Sequence, residues 1–118
     1  MSELAAENPI DLTHLDRYTG GDARVNAEVF RLFSRHCSET LRALNLLLHA
    51  TECTGWREAA HGLKGAALGI GAFDLAEAAG AAENVDPGSP DGCADNVLRI
   101  LNERADVVLA YIDAYLAR

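Results

Sequence analysis

Two stretches of the chain repeat apolar residues at alternating steps of three and four, a period that only a helix can gather onto one side. Phe30, Phe33, Cys37, Leu41, Leu44 and Leu48 make the first series, and Leu98, Leu101, Ala105, Val108, Ile112 and Tyr115 the second. At about 100° per residue each series draws a single stripe along an α-helix, and each stripe needs a partner to cover it. Between them, Trp56 to Ile70 carries a third helical pattern that Gly71 terminates, and Leu75, Ala79 and Ala82 turn a fourth inward. Asp22 caps the first long helix, which the pattern runs on to the Thr51 to Gly55 region. Asp-Pro-Gly-Ser-Pro-Asp-Gly at 86–92 separates the fourth helix from the last. A short helix from Asp11 to Tyr18, with Leu12 and Leu15 inward, precedes them and stops at Gly20-Gly21. Residues 1–9 lack any period and read as a flexible arm, which leaves 10–118 as one domain. Nothing alternates at the period of a strand. The expected fold is all-α: an antiparallel up-and-down four-helix bundle with a short extra N-terminal helix. Because the helices cover one another's stripes, a monomer is expected rather than a coiled-coil dimer.

Charge and composition exclude several classes of function. The formal net charge of −8 repels phosphate backbones, so nucleic acid is not an expected partner. Cys37, Cys53 and Cys93 are odd in number and lack C-x-x-C spacing, against a disulfide framework or zinc knuckle. His49 and Cys53, at i and i+4, are the one weak metal-like pair. The acidic N-terminus is unlike a signal peptide and no apolar run spans a membrane, so a cytoplasmic protein without membrane attachment is expected. There is no phosphate-binding G-x-x-x-x-G-K-[ST] and no G-x-S-x-G. Gly69-x-Gly71-x-x-Asp74 imitates a dinucleotide fingerprint but lacks the third glycine and the preceding strand. The chain is therefore not expected to phosphorylate itself from a nucleotide, and no cofactor of its own is expected.

The chemistry concentrates on the third helix. Trp56, Ala59, Leu63, Ala67 and Ile70 share one face, which places His61, Gly65 and Leu68 on the other, toward solvent. Lys64, the sole lysine of the chain, follows His61 at i+3, and Gly65 at i+4 removes the side chain that would crowd the ring. Glu58 at i−3 favours the imidazolium and Lys64 disfavours it, so the two oppose each other. Arg57, Glu58 and Leu68 read as a docking patch beside the histidine, Leu68 being apolar where a solvated helix more often carries charge. Glu77 and Glu83 read as solvated positions. His14, His36 and His49 have no comparable setting and read as surface or packing residues.

His61-x-Leu63-Lys64-Gly65, followed by Gly71 and Leu75, resembles the signature of histidine-containing phosphotransfer (HPt) domains of phosphorelays. Ala59-Ala60, Ala72 and Glu83 agree with it, and Ile10-Asp11, Gly20-Gly21-Asp22 and Val29-Phe30-Phe33 resemble the family's opening helices. The likeness runs over residues 10–116, its specific part over 59–83.

The resemblance implies that His61 accepts a phosphoryl group from a receiver-domain aspartyl-phosphate and passes it to another receiver-domain aspartate. An exposed neutral imidazole is nucleophilic without an activating base, and a loose phosphoryl transition state needs chiefly alignment and positive charge. Lys64 would stabilise that charge and Gly65 would give steric access. Response-regulator receivers and a hybrid histidine kinase are the implied partners, with the divalent metal, magnesium, supplied by the receiver. Two other readings remain open from the residues: a non-catalytic helical adaptor binding a kinase or receiver, or an excised phosphoacceptor module of a chemotaxis-type histidine kinase.

Overall fold

The computed structural model describes residues 8–48 and 53–118. These form five helices and no strand: α1 (Leu12–Thr19), α2 (Ala23–Leu47), α3 (Thr54–Ile70), α4 (Phe73–Glu83) and α5 (Cys93–Leu116). Local chemistry sets most of the ends. Asp11 caps α1 by accepting from the His14 N–H, and Gly20 closes it in the left-handed conformation at φ 72°. Asp22 caps α2 by accepting from the N–H groups of Arg24 and Val25.

One end differs from the sequence expectation. α2 stops at Leu47 instead of running to Thr51–Gly55, and Leu48 is extended at φ −59°, ψ 129°. Leu48 still packs against the core, so it prolongs the apolar period without being helical. A Leu47 methyl packs beside Gly55, 3.4 Å from where a Cβ would stand there. α3 begins at Thr54, two residues ahead of Trp56. His49 lies outside the described residues, as does most of the N-terminal arm; of that arm, Asn8 is exposed and Pro9 half-buried.

Helices α2 to α5 close a ring in which α2 touches α3 and α5, and α4 touches α3 and α5. Each neighbouring pair runs antiparallel. Leu47 at the end of α2 meets Gly55 at the start of α3. Trp56 Nε1–H at the start of α3 donates to Ala82 O at the end of α4, at 2.7 Å. Arg104, midway along α5, donates to Asp74 O at the start of α4. Phe30, early in α2, stacks edge-on against Tyr115 near the end of α5. The expected up-and-down bundle is thereby formed, its centre filled by Phe30, Leu44, Trp56, Leu63, Leu75, Leu101 and Ile112, all fully buried.

On α3 the buried side is rotated slightly from the one expected: Ala60 is wholly buried and Ala59 only partly so. α3 packs more extensively against α4 than against any other helix. α4 itself buries Leu75, Ala76, Ala78, Ala79 and Ala82, a broad stripe set between its two neighbours, while Phe73, Asp74, Glu77 and Ala81 stay exposed.

The segment before α1 is strapped across the end of α3. Ile10 is buried, and the Asp11 N–H donates to Gly71 O at 2.9 Å. Gly71 ends α3 at φ +81°, and a Cβ there would stand 2.7 Å from Asp11 O, so the position excludes a side chain on two grounds. Gly20 shares the left-handed backbone, yet nothing lies within 4 Å of its missing Cβ. Gly20→Ala should therefore cost about 1 kcal/mol in urea unfolding, the backbone penalty alone, and Gly71→Ala at least about twice that. Equal losses would show that the Asp11 contact adds nothing.

Candidate functional site

His61 stands on the outward side of α3 with 71% of its side chain exposed. The helix around it is bare. Among the described residues nothing lies within 4 Å of a Cβ built on Gly62, Gly65 or Gly69. These three glycines, all in the interior of the helix, cost about 1 kcal/mol each relative to alanine, a loss offset by the buried face of α3. Leu68 is exposed on the same side, as expected, and so are Arg57 and Glu58 one turn before His61. Neither of these charged residues pairs with the ring; the Arg57 guanidinium instead lies 4.0 Å from Cys53 Sγ.

The carboxylate that does reach the ring comes from another helix. Glu83, the last residue of α4, places Oε2 2.8 Å from His61 Nδ1 and Oε1 3.9 Å from Lys64 Nζ. Its side chain is only 20% exposed. This corrects the expectation that Glu83 is a solvated helix position, and it supplies the carboxylate partner that the sequence did not require. A carboxylate can only accept, so Nδ1 is the ring nitrogen that carries hydrogen, and Nε2 keeps the free lone pair on the exposed side of the ring.

Tight packing brings these groups together. Two residues, Gly71 and Ala72, separate α3 from α4, and the Ala72 N–H returns to Ala67 O. Ala60 and Ala67 on α3, and Ala76, Ala79 and Ala82 on α4, are all buried and let the helices close in. The Trp56 bond to Ala82 O then fixes the neighbouring Glu83 in height against α3. Lys64 is half-exposed rather than turned fully outward, because its stem crosses α4 at Gly80: a Cβ there would lie 3.6 Å from Lys64 Cδ and 3.8 Å from Cε. Sequence reasoning placed Glu83 within the resemblance but missed its pairing with the ring, and it missed Gly80 altogether. They stand well beyond Lys64 in the chain, and no local period connects the two helices.

The remaining candidates separate from this site. His14 stacks edge-on between Tyr18 and Phe73, with ring centroids 5.3 and 5.2 Å away, in an aromatic cluster joining α1 to the start of α4. Cys37 is enclosed in the core, where burial, and secondarily the charge of Asp106, push its thiol up to about 11. That makes it inert rather than nucleophilic. Among the described residues no three His, Cys, Asp or Glu side chains are grouped to hold a metal ion, and no helix is long and apolar enough to cross a membrane.

A family model described as the Hpt domain matches residues 28–116, which is α2 from its second turn onward through α5, with His61, Lys64, Gly65 and Glu83 inside it. The chain belongs to the Hpt domain family. Membership implies histidine phosphotransfer in a phosphorelay, and with it interaction with receiver domains and histidine kinases. No curated protein sequence and no solved structure matches the chain. In this Hpt domain the strap and α1 lie outside the matched range.

Gly80 gives a test of how the lysine is carried. A methyl at that position makes ordinary contacts of 3.6 to 4.0 Å with the Lys64 stem, so Gly80→Ala should raise stability by up to about 1 kcal/mol in chemical denaturation. Gly80→Leu should instead displace the stem and gain less. Loss of stability in the alanine variant would show that the stem packs more tightly than these distances imply.

Proposed function

We propose that this Hpt domain is a phosphorelay intermediate in which Nε2 of His61 takes the phosphoryl group from an aspartyl-phosphate of one receiver domain and passes it to an aspartate of another. The observation that carries this reading is the split in the ring's surroundings. Nδ1 is engaged by Glu83 at 2.8 Å while the rest of the imidazole is open to solvent. A ring held by one nitrogen is oriented and keeps its tautomer, which removes part of the entropic cost of aligning it with phosphorus.

The neighbours fit the demands of a loose transition state. Lys64 brings an ammonium to the same carboxylate and has room to swing toward the equatorial oxygens of the phosphoryl group. Gly65, with Gly62 and Gly69, keeps the helix low beside the ring, so a partner's backbone and its bound ion can come near. Arg57, Glu58 and Leu68 border that opening and serve as docking contacts.

In this reading the carboxylates and the divalent metal, magnesium, belong to the receiver, and this chain supplies the acceptor nitrogen, one positive charge and open space. A hybrid histidine kinase is the proposed source of the phosphoryl group. The chain works as a monomeric carrier rather than as an autonomous kinase.

Mixing the protein with a receiver phosphorylated on aspartate should move the label onto this chain in an acid-labile, base-stable linkage, and His61→Gln should abolish the transfer. Label that persists in His61→Gln overturns the assignment. Lys64→Ala should slow transfer about tenfold, or ~1.4 kcal/mol in barrier, with folding intact. Gly65→Gln should weaken docking while raising helix stability by up to about 1 kcal/mol.

A further inference from the structure

Release of a phosphoryl group from a histidine makes a demand that capture does not. When the P–N bond breaks, its electron pair returns to Nε2. If Nδ1 carries a proton, the departing ring is a neutral imidazole. If Nδ1 is bare, the ring must leave as imidazolate, a far stronger base and a much poorer leaving group. A carrier that must hand on its cargo near neutral pH therefore needs Nδ1 protonated in the phosphorylated state, where the ring is a phosphoimidazolium.

We propose that Glu83 is a positioning residue for this outgoing half of the transfer: its carboxylate, seated on Nδ1, holds the phosphorylated ring in the protonated form that can leave. The proposal rests on the reading of His61 as phosphoacceptor and extends it from how the group is taken to how it is given up. In the forward step Nε2–P breaks, a P–O bond forms at the receiver's aspartate oxygen, and the Nδ1 hydrogen stays on the ring throughout. In the competing hydrolysis the P–O bond forms with water, and both water hydrogens leave with the phosphate.

The geometry suits this role. Glu83 Oε2 is 2.8 Å from Nδ1, and the carboxylate is three-quarters or more sheltered at the end of α4 while the ring projects from α3. A carboxylate at this distance accepts the Nδ1 hydrogen and sets an anion against whatever positive charge the ring carries. Lys64 opposes it from the other carboxylate oxygen, but at 3.9 Å its ammonium is outside hydrogen-bond reach. A phosphoryl dianion on Nε2 attracts that ammonium more strongly than a shared carboxylate does, so phosphorylation leaves Glu83 to the ring.

The other charged groups do not substitute for it. On α3, Arg57 and Glu58 are exposed, opposite in sign and one turn away. On α4, Glu77 is exposed and lies more than a turn before Glu83. From α2, packed on the other flank of α3, the exposed titratable groups nearest in register are His36, Glu39 and Arg42. Among the described residues Glu83 alone pairs with His61.

The test uses the full chain phosphorylated chemically with phosphoramidate, followed by the rate of phosphoryl loss to water and to a receiver across a pH series, in wild type and Glu83→Gln. Glutamine keeps an acceptor and removes the charge. Wild type should release readily through neutral pH and slow on the alkaline side. In Glu83→Gln that alkaline limb should move down by about one pH unit, giving about tenfold slower release on it, while the rates at acid pH coincide. Superposable profiles in two chains that are both labelled on His61 overturn the role of Glu83 and leave the phosphoacceptor reading standing. Absence of label on wild-type His61 overturns both. Should Glu83→Gln fail to fold, ring ¹⁵N shifts of phosphorylated wild type read the same proton directly. Loss of the Nδ1 hydrogen at the pH found for an unstructured phosphohistidine peptide would overturn the proposal.

Discussion

The close approach of α3 and α4 is the constraint on which the site depends. It is built from alanines: Ala60 and Ala67 face the seam from one side, Ala76, Ala79 and Ala82 from the other, and none has a side chain long enough to hold the backbones apart. Gly71 and Ala72 make the turn between the helices short, so the seam closes over the whole of α4. The buried bond from Trp56 to Ala82 O then fixes the height of one helix against the other. Glu83 sits at the rim of this contact, so its hydrogen bond to the ring depends on how closely the two helices approach.

The open side of α3 reflects the opposite choice. Gly62, Gly65 and Gly69 weaken the helix by propensity and contribute no packing, yet nothing fills the space they leave. The buried face, led by Trp56, Leu63 and Ile70, holds the helix together in their place. Stability is thus concentrated on one side of α3 and access on the other, with His61 on the boundary, where its ring meets α4 by one edge and solvent by the rest.

A second tie acts on the far end of the same helix. The strap through Ile10 and Asp11 closes over Gly71, so the residue that terminates α3 also receives the N-terminal segment. Both ends of α3 are therefore held, one by Trp56 and one by Gly71. A rigid helix suits a residue that must present a single atom to a partner, since each loose torsion would have to be frozen at the encounter.

The sequence by itself determined the helices, their stripes and the exposed placement of His61, Gly65 and Leu68, because these follow from a period of about 3.6 residues and from caps such as Asp11, Asp22 and Gly71 that act within one turn. It carried the apolar period past the true end of α2, since Leu48 keeps its place in the stripe after the backbone has left the helix. What only the tertiary structure decided is the pairing across α3 and α4. Whether Glu83 meets water or an imidazole depends on the rotation, separation and height of two packed helices, and Lys64 reaches α4 only because Gly80 gives its stem a track. Periodicity fixes which side of a helix is apolar; it carries no information about which residue of a neighbour comes to stand opposite, and that is set by the fit of side chains along the seam.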